Sequence, residues 1–175
     1  MTVSDLLWIS EARMLSICGL PRSTFQGWNR AGLGLVDAGG AYGLREVVAI
    51  SLLVAARDHM GAEELVAAWG AFDRSGKADE LVGAVRTAEK GDRFDLVIAP
   101  TSGAMLIVRD DEELVRAVRD PDVPTIFAVI DVSGRLRAVR DTFGRYQKES
   151  KRPQRRRPGR PKAEVTQLHS VDSGV

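Results

Sequence analysis

Gly19 and Pro21, two residues apart, punctuate the stretch "SEARMLSICGLPRSTFQGWNRAGL" (10–33). A helix that runs into this point cannot run through it. Glycine suits the left-handed position that closes a helix, and proline is tolerated only in the first turn of the next one. The stretch therefore predicts two short helices joined by a tight turn. Ser10 is a good N-cap for the first, with Glu11 and Arg13 behind it and Ala12, Leu15, Ile17 and Cys18 as its apolar face. In the second, Phe25 and Trp28 lie three apart and share a face that must be buried. Arg22, Gln26, Asn29 and Arg30 recur at helical spacing on the opposite face, and Gly32 ends the helix.

That polar face has a chemistry. Arginine pairs with the edge of guanine, and glutamine or asparagine with adenine. Ser23 and Thr24 offer first-turn hydroxyls of the kind that hold phosphates. A helical hairpin with a solvated polar face satisfies the same pattern. Gly27 also has two readings: it permits close approach to DNA, or it makes room for a neighbouring helix. In either case it costs the helix about 1 kcal/mol against alanine.

The next stretch, "GLVDAGGAYGLREVVAISLLVAARDHM", predicts a Gly-Gly turn bracketed by the extended pieces "LGLV" and "AYGL", then a helix over 44–59. Helix, turn, helix, wing, helix is an order that resembles the MerR family of winged-helix regulators. In "STFQGWNRAGL", Thr24, Trp28, Gly32 and Leu33 match that family's signature, and Phe25 matches it loosely. In "GAYGLREV", Tyr42 and Val47 match its wing pattern. The resemblance covers about residues 8–72. It implies a recognition helix in the major groove, flanked by a wing with Tyr42 and Arg45 as further DNA contacts. The chain departs from the family at Gln26, where an arginine is usual, and at Gly27, where an aromatic is. Between Arg30 and Arg45 it has no basic residue.

Charge is distributed unevenly. The chain carries 25 Lys+Arg against 24 Asp+Glu. Residues 1–60 hold five of each sign, whereas 148–162 hold eight basic residues and one acid, with three prolines and a glycine. Such a segment buries too little to offset its ordering entropy, so 148–175 is expected to be a disordered basic tail. Its "RRRPGRPK" is similar to an AT-hook, with Arg155, Arg156, Arg157, Gly159, Arg160 and Lys162 as candidate contacts to phosphates or an A·T minor groove. Pro158 interrupts the Arg-Gly-Arg core of that motif. A winged helix of net charge zero neutralises few phosphates, and the tail supplies what it lacks.

Between head and tail, Leu65, Val66, Trp69 and Phe72 recur at helical spacing, as do Leu81, Val82, Val85 and Ala88, with "RSGK" breaking the two helices apart. From residue 93 the period changes. "FDLVIAP" and "AMLIVR" read as strands and "DDEELVRAVRD" as an amphipathic helix. "TIFAVIDV", "SG" and "RLRAVRDTF" read as a hairpin. The expected fold is α+β. It has a winged helix-turn-helix at 1–60, a helical connector at 61–91, a ββαββ module at 92–147 for dimerisation or effector binding, and the tail.

The longest near-apolar run, "VVAISLLVAA", is ten residues, against the roughly 20 a membrane span needs. The start "MTVSDLLWISEARM" has no basic residues leading into an apolar run, so no secretory signal is expected. Cys18 is the single cysteine, which argues against a disulfide or a cysteine metal site. No phosphate loop or histidine-supported carboxylate pair is present, so neither catalysis nor a cofactor is expected. The sequence reading is a cytoplasmic, nucleoid-associated transcriptional regulator. It binds double-stranded DNA sequence-specifically as a homodimer or higher homo-oligomer, with any small-molecule effector unknown. Two alternatives stand beside it: an architectural, excisionase-like or partition protein on DNA, and an RNA- or protein-interaction module.

Overall fold

The structure, a computed structural model, describes residues 8–35, 41–99, 104–119 and 128–150. These form a mixed helix-and-sheet fold with two small antiparallel sheets. A short strand β1 (Ile9–Ser10) leads into α1 (Glu11–Cys18). Gly19 takes the left-handed conformation (φ 64°), and its N–H and that of Leu20 both return to the Leu15 carbonyl, closing the helix. Pro21 is extended, and its carbonyl accepts the Phe25 N–H at 3.1 Å, starting α2 (Arg22–Arg30). Gly32 (φ 95°) and the 3.0 Å bond from the Leu33 N–H to the Trp28 carbonyl then turn the chain back. The glycine and proline punctuation thus acts as the sequence predicts.

Of the expected wing, only the second extended piece pairs among the described residues. β2 (Ala41–Tyr42) pairs antiparallel with β1, Ile9 opposite Tyr42, and residues 33–35 take no strand pairing. The Gly-Gly turn at 39–40 lies outside the described residues.

The next helix, α3 (Leu44–Ala56), is the centre of the molecule. Every residue of 47–54 is buried, so it is enclosed on all sides, with Ser51 the one polar residue among them. It packs against α1, α4 (Ala62–Arg74), α5 (Lys77–Thr87) and, later in the chain, β3 and α7. The eight apolar positions read from α4, α5 and the residue after them are buried, and left-handed Gly76 (φ 80°) separates the two helices.

A three-stranded antiparallel sheet follows, with β3 (Asp95–Ala99) between β4 (Ala104–Val108) and β5 (Ala128–Asp131); α6 (Asp111–Arg119) lies against β4. The predicted last strand is instead the 18-residue helix α7 (Ser133–Ser150), so the order is ββαβα rather than ββαββ. Leu136, Val139 and Phe143 fall at spacings of three and four and are all buried, a helical period that "SG" had masked as a hairpin turn. The strand-to-helix junction is pinned. The Ser133 N–H donates to the Asp131 carboxylate at 2.8 Å, and the Phe94 N–H donates to Ser133 Oγ at 2.8 Å. Hydrogen bonding from Ser133 also holds the Asp131 carboxyl below the usual carboxylate range. Lys148 and Glu149, expected to begin the tail, belong to the last turn of α7.

One contiguous core runs through α1 to α5, β3 and α7. Three α7 arginines fasten it by donating to carbonyls where other elements end. Arg135 reaches Cys18 at the end of α1 (3.4 Å), Arg137 reaches Asp92 (2.7 Å), and Arg140 reaches Ala88 just past α5. Cations at helix C-termini complement both the orphan carbonyls and the helix dipole.

Candidate nucleic-acid interface

The α2 helix is held by its buried face. Phe25 and Trp28 are 0% and 3% exposed, and Phe25 meets Tyr42 edge-on with ring centroids 6.0 Å apart. With those two residues inside, the 3.6-residue repeat directs Arg22, Ser23, Gln26 and Arg30 to solvent, while Thr24, Gly27 and Asn29 are half-buried. Of the six polar candidates on α2, four are exposed and share one side of the helix.

Its electrostatics are modest. Arg22 donates from Nε to Glu11 on α1 at 2.8 Å, and the Arg22 side chain is still 72% exposed. An exposed pair of this kind contributes about 0–1 kcal/mol, so a phosphate or base edge can displace it. Arg30 donates from Nε to the Gln26 carbonyl at 3.3 Å. The Asn29 side-chain oxygen is buried and accepts no hydrogen bond among the described residues.

Gly27 is resolved by its surroundings. A methyl group built there would meet nothing within 4 Å, so no neighbouring helix among the described residues needs the space. Its backbone is helical, so Gly27→Ala is expected to stabilise the fold by about 0.5–1 kcal/mol, read as a rise in the urea midpoint. An unchanged or lower midpoint would mean that the glycine serves a contact inside the fold.

The two wing candidates are both engaged within the fold. Tyr42 is 1% exposed, because the β1–β2 pairing turns its ring into the core against Phe25. Burial, and then the charge of Glu11, raise its phenol pKa. Arg45 is half-exposed, but its guanidinium is held by Asp73 at the end of α4 and by Asp79 at the start of α5 (3.1 Å). Its charge is already neutralised within the fold. The sequence signal for Arg45 was local, whereas its partners lie 28 and 34 residues away.

A different cation marks where α7 meets α1. Arg13, exposed on α1, sits 4.9 Å from the ring centroid of Tyr146 in the C-terminal part of α7. At the other end of the pair, Arg135 meets the end of α1. The two helices therefore run antiparallel, and α7 ends beside the N-terminal half of α1. Glu11 and Arg13 are two residues apart, on opposite sides of α1, so α7 and the Arg22 end of α2 flank α1 from either side. The sequence reading placed Arg13 only behind the Ser10 cap. Its role depends on α7, which was expected to be a strand. The candidates Arg155, Arg156, Arg157, Gly159, Arg160 and Lys162 lie outside the described residues.

Cys18 is buried, and burial pushes its thiol up to about 11, so it is a poor nucleophile. Among the described residues no group of three or more His, Cys, Asp or Glu is placed to hold a metal ion, and no helix is long and apolar enough to cross a membrane. Asp95 is held by Arg93, whose Nε donates to it at 2.6 Å. No known family model matches the chain, and no curated protein or solved structure matches it.

Proposed function

We propose that this protein is a sequence-specific double-stranded DNA-binding regulator of transcription, of the winged helix-turn-helix type, which reads bases with α2 and holds phosphates with the basic segment after α7. One observation carries this reading. The helix that exposes Arg22, Ser23, Gln26 and Arg30 is seated by the buried Phe25 and Trp28 and carries, at the edge of its exposed face, a glycine whose Cβ position is open. Rigid seating favours base readout, since side chains must reach donor and acceptor edges in fixed register. The glycine lowers the profile of the helix where a groove would meet it.

The course of α7 supports the second half. The C-terminal part of α7 lies against α1, on the side away from the Arg22–Glu11 pair. A helix is about 10–12 Å across. Four extended residues span up to about 14 Å, so the chain from Lys151 can pass α1 and lie along the same duplex.

The test is a selection of bound duplexes from a random pool, then titration of the selected site. Arg22→Ala and Gln26→Ala are each expected to cost about 1–3 kcal/mol on that site and to relax preference at particular base pairs. Gly27→Ala, which leaves the fold intact or firmer, is expected to weaken the same complex. If both polar variants discriminate specific from random duplex as the wild type does, α2 is not the reader. Cooperative coating of long DNA without a preferred site would favour an architectural role.

A further inference from the structure

α6 presents an exposed face. None of its nine residues is buried, although Val115 and Val118 are apolar and 47% and 58% exposed. Glu113, Leu114 and Ala117, all partly buried, form its inner side, and Glu113 accepts the Arg109 N–H there. The outer side carries Glu112, Val115, Val118 and Arg119.

The charges along this helix are segregated. Asp111, Glu112 and Glu113 occupy the first turn, and Arg116 and Arg119 the last. Such a helix is complementary to itself turned end for end. An antiparallel pair about a two-fold axis near Val115 brings the two Val115 side chains together. It flanks them with Val118 and sets Glu112 of one copy beside Arg119 of the other. Isologous contacts of this kind are the commonest way for identical chains to close into a dimer. Among the described residues Glu112 and Arg119 take part in no ion pair, whereas Asp111 is held by Arg93.

We propose that α6 is the homodimer contact of this protein, a two-fold antiparallel helix pair with a Val115–Val118 centre and reciprocal Glu112–Arg119 ion pairs. The inference deepens the dimeric form of the reading above, and it is tested without DNA. Two nine-residue helices make a small interface, at the low end of those that hold specific complexes. The dimer is therefore weak in solution, with dissociation in the micromolar range.

Sedimentation equilibrium of the full chain from about 1 to 100 µM is expected to show a monomer–dimer equilibrium in that range. Val115→Glu and Arg119→Glu, both at exposed positions, are each expected to raise the dissociation constant at least about tenfold, a loss of roughly 1.4 kcal/mol. Glu112→Arg combined with Arg119→Glu restores the charge pattern in reverse and is expected to recover most of the wild-type association. A general loss of structure could not produce that rescue. As a second measurement, Val115→Cys is expected to form an intermolecular disulfide under mild oxidation, since the native Cys18 is buried and does not compete. A chain that stays monomeric at 100 µM, a dimer indifferent to Val115→Glu, or a charge reversal without rescue would each overturn the assignment. Failure here leaves the α2 reading standing, because neither measurement contains DNA.

Discussion

Truncation after Ser150 is expected to lower affinity for every duplex, specific or random, and to reduce the slope of log affinity against log salt by about 3–5 units. Seven basic residues, from Lys151 to Lys162, leave with the segment. Each phosphate contact contributes roughly 0.9 to the slope, and three to six contacts at a time give the stated range. Between 50 and 200 mM salt, the gap between the two proteins then narrows by about 10²–10³-fold. The cut belongs after Ser150 and not earlier, because α7 continues to that residue and Tyr146 supports Arg13. A shorter protein would mix the loss of the cations with damage to α1. Base preference at the α2 site should survive, since backbone contacts carry little sequence information.

Replacing only Arg157 and Arg160 separates two modes of contact. Minor-groove insertion predicts loss of a preference for A·T-rich flanks with a slope change of about two units. A purely electrostatic arm predicts equal binding to A·T-rich and G·C-rich flanks before and after. A truncated protein that keeps the full slope would show that the segment does not touch DNA.

Phe25→Ala is expected to destabilise the fold by about 3–5 kcal/mol in urea unfolding, the range for deleting a fully buried aromatic ring. Phe25 is 0% exposed and is the residue through which α2 meets the β1–β2 ladder, by way of Tyr42. A domain is stabilised by only about 5–15 kcal/mol in all, so this variant is expected to be partly unfolded at 37 °C. By contrast Gln26→Ala, one residue along on the exposed side, is expected to change stability by less than about 0.5 kcal/mol. A cost under 1 kcal/mol for Phe25→Ala would mean that α2 is loosely seated, and rigid base readout would lose its basis.

The elements legible in the sequence were those whose signals are local. Gly19 and Pro21 punctuate α1 and α2, the continuous apolar run of α3 requires a central helix, and Gly76 divides α4 from α5. The errors arose where a local signal had two readings and a distant contact decided between them. "SG" after a β-like run suits a hairpin. Here Asp131 and Phe94 hold Ser133, and Leu136, Val139 and Phe143 are drawn into the core at helical spacing. Tyr42 looked like a surface wing residue because β1, its two-residue partner strand, is too short to announce itself. Arg45 looked free because Asp73 and Asp79 are far along the chain. Exposed polar positions such as Arg22 and Gln26 followed directly once Phe25 and Trp28 were assigned to the interior.

The bond from Arg135 to the Cys18 carbonyl spans 117 residues. It sets an order of events during synthesis. A ribosome that has made α1, α2 and α3 has released a central helix whose apolar surface still waits for α5, β3 and α7. Its α1 carbonyl end also waits for an arginine not yet translated. Contacts closed over such sequence distances form late and slow folding. The carbonyl end of α1 is therefore closed only after α7 has been made, and that contact forms late. A fragment ending at α3 would behave as a sticky intermediate rather than a portable module, and grafting α1 to α3 onto another protein would fail for the same reason.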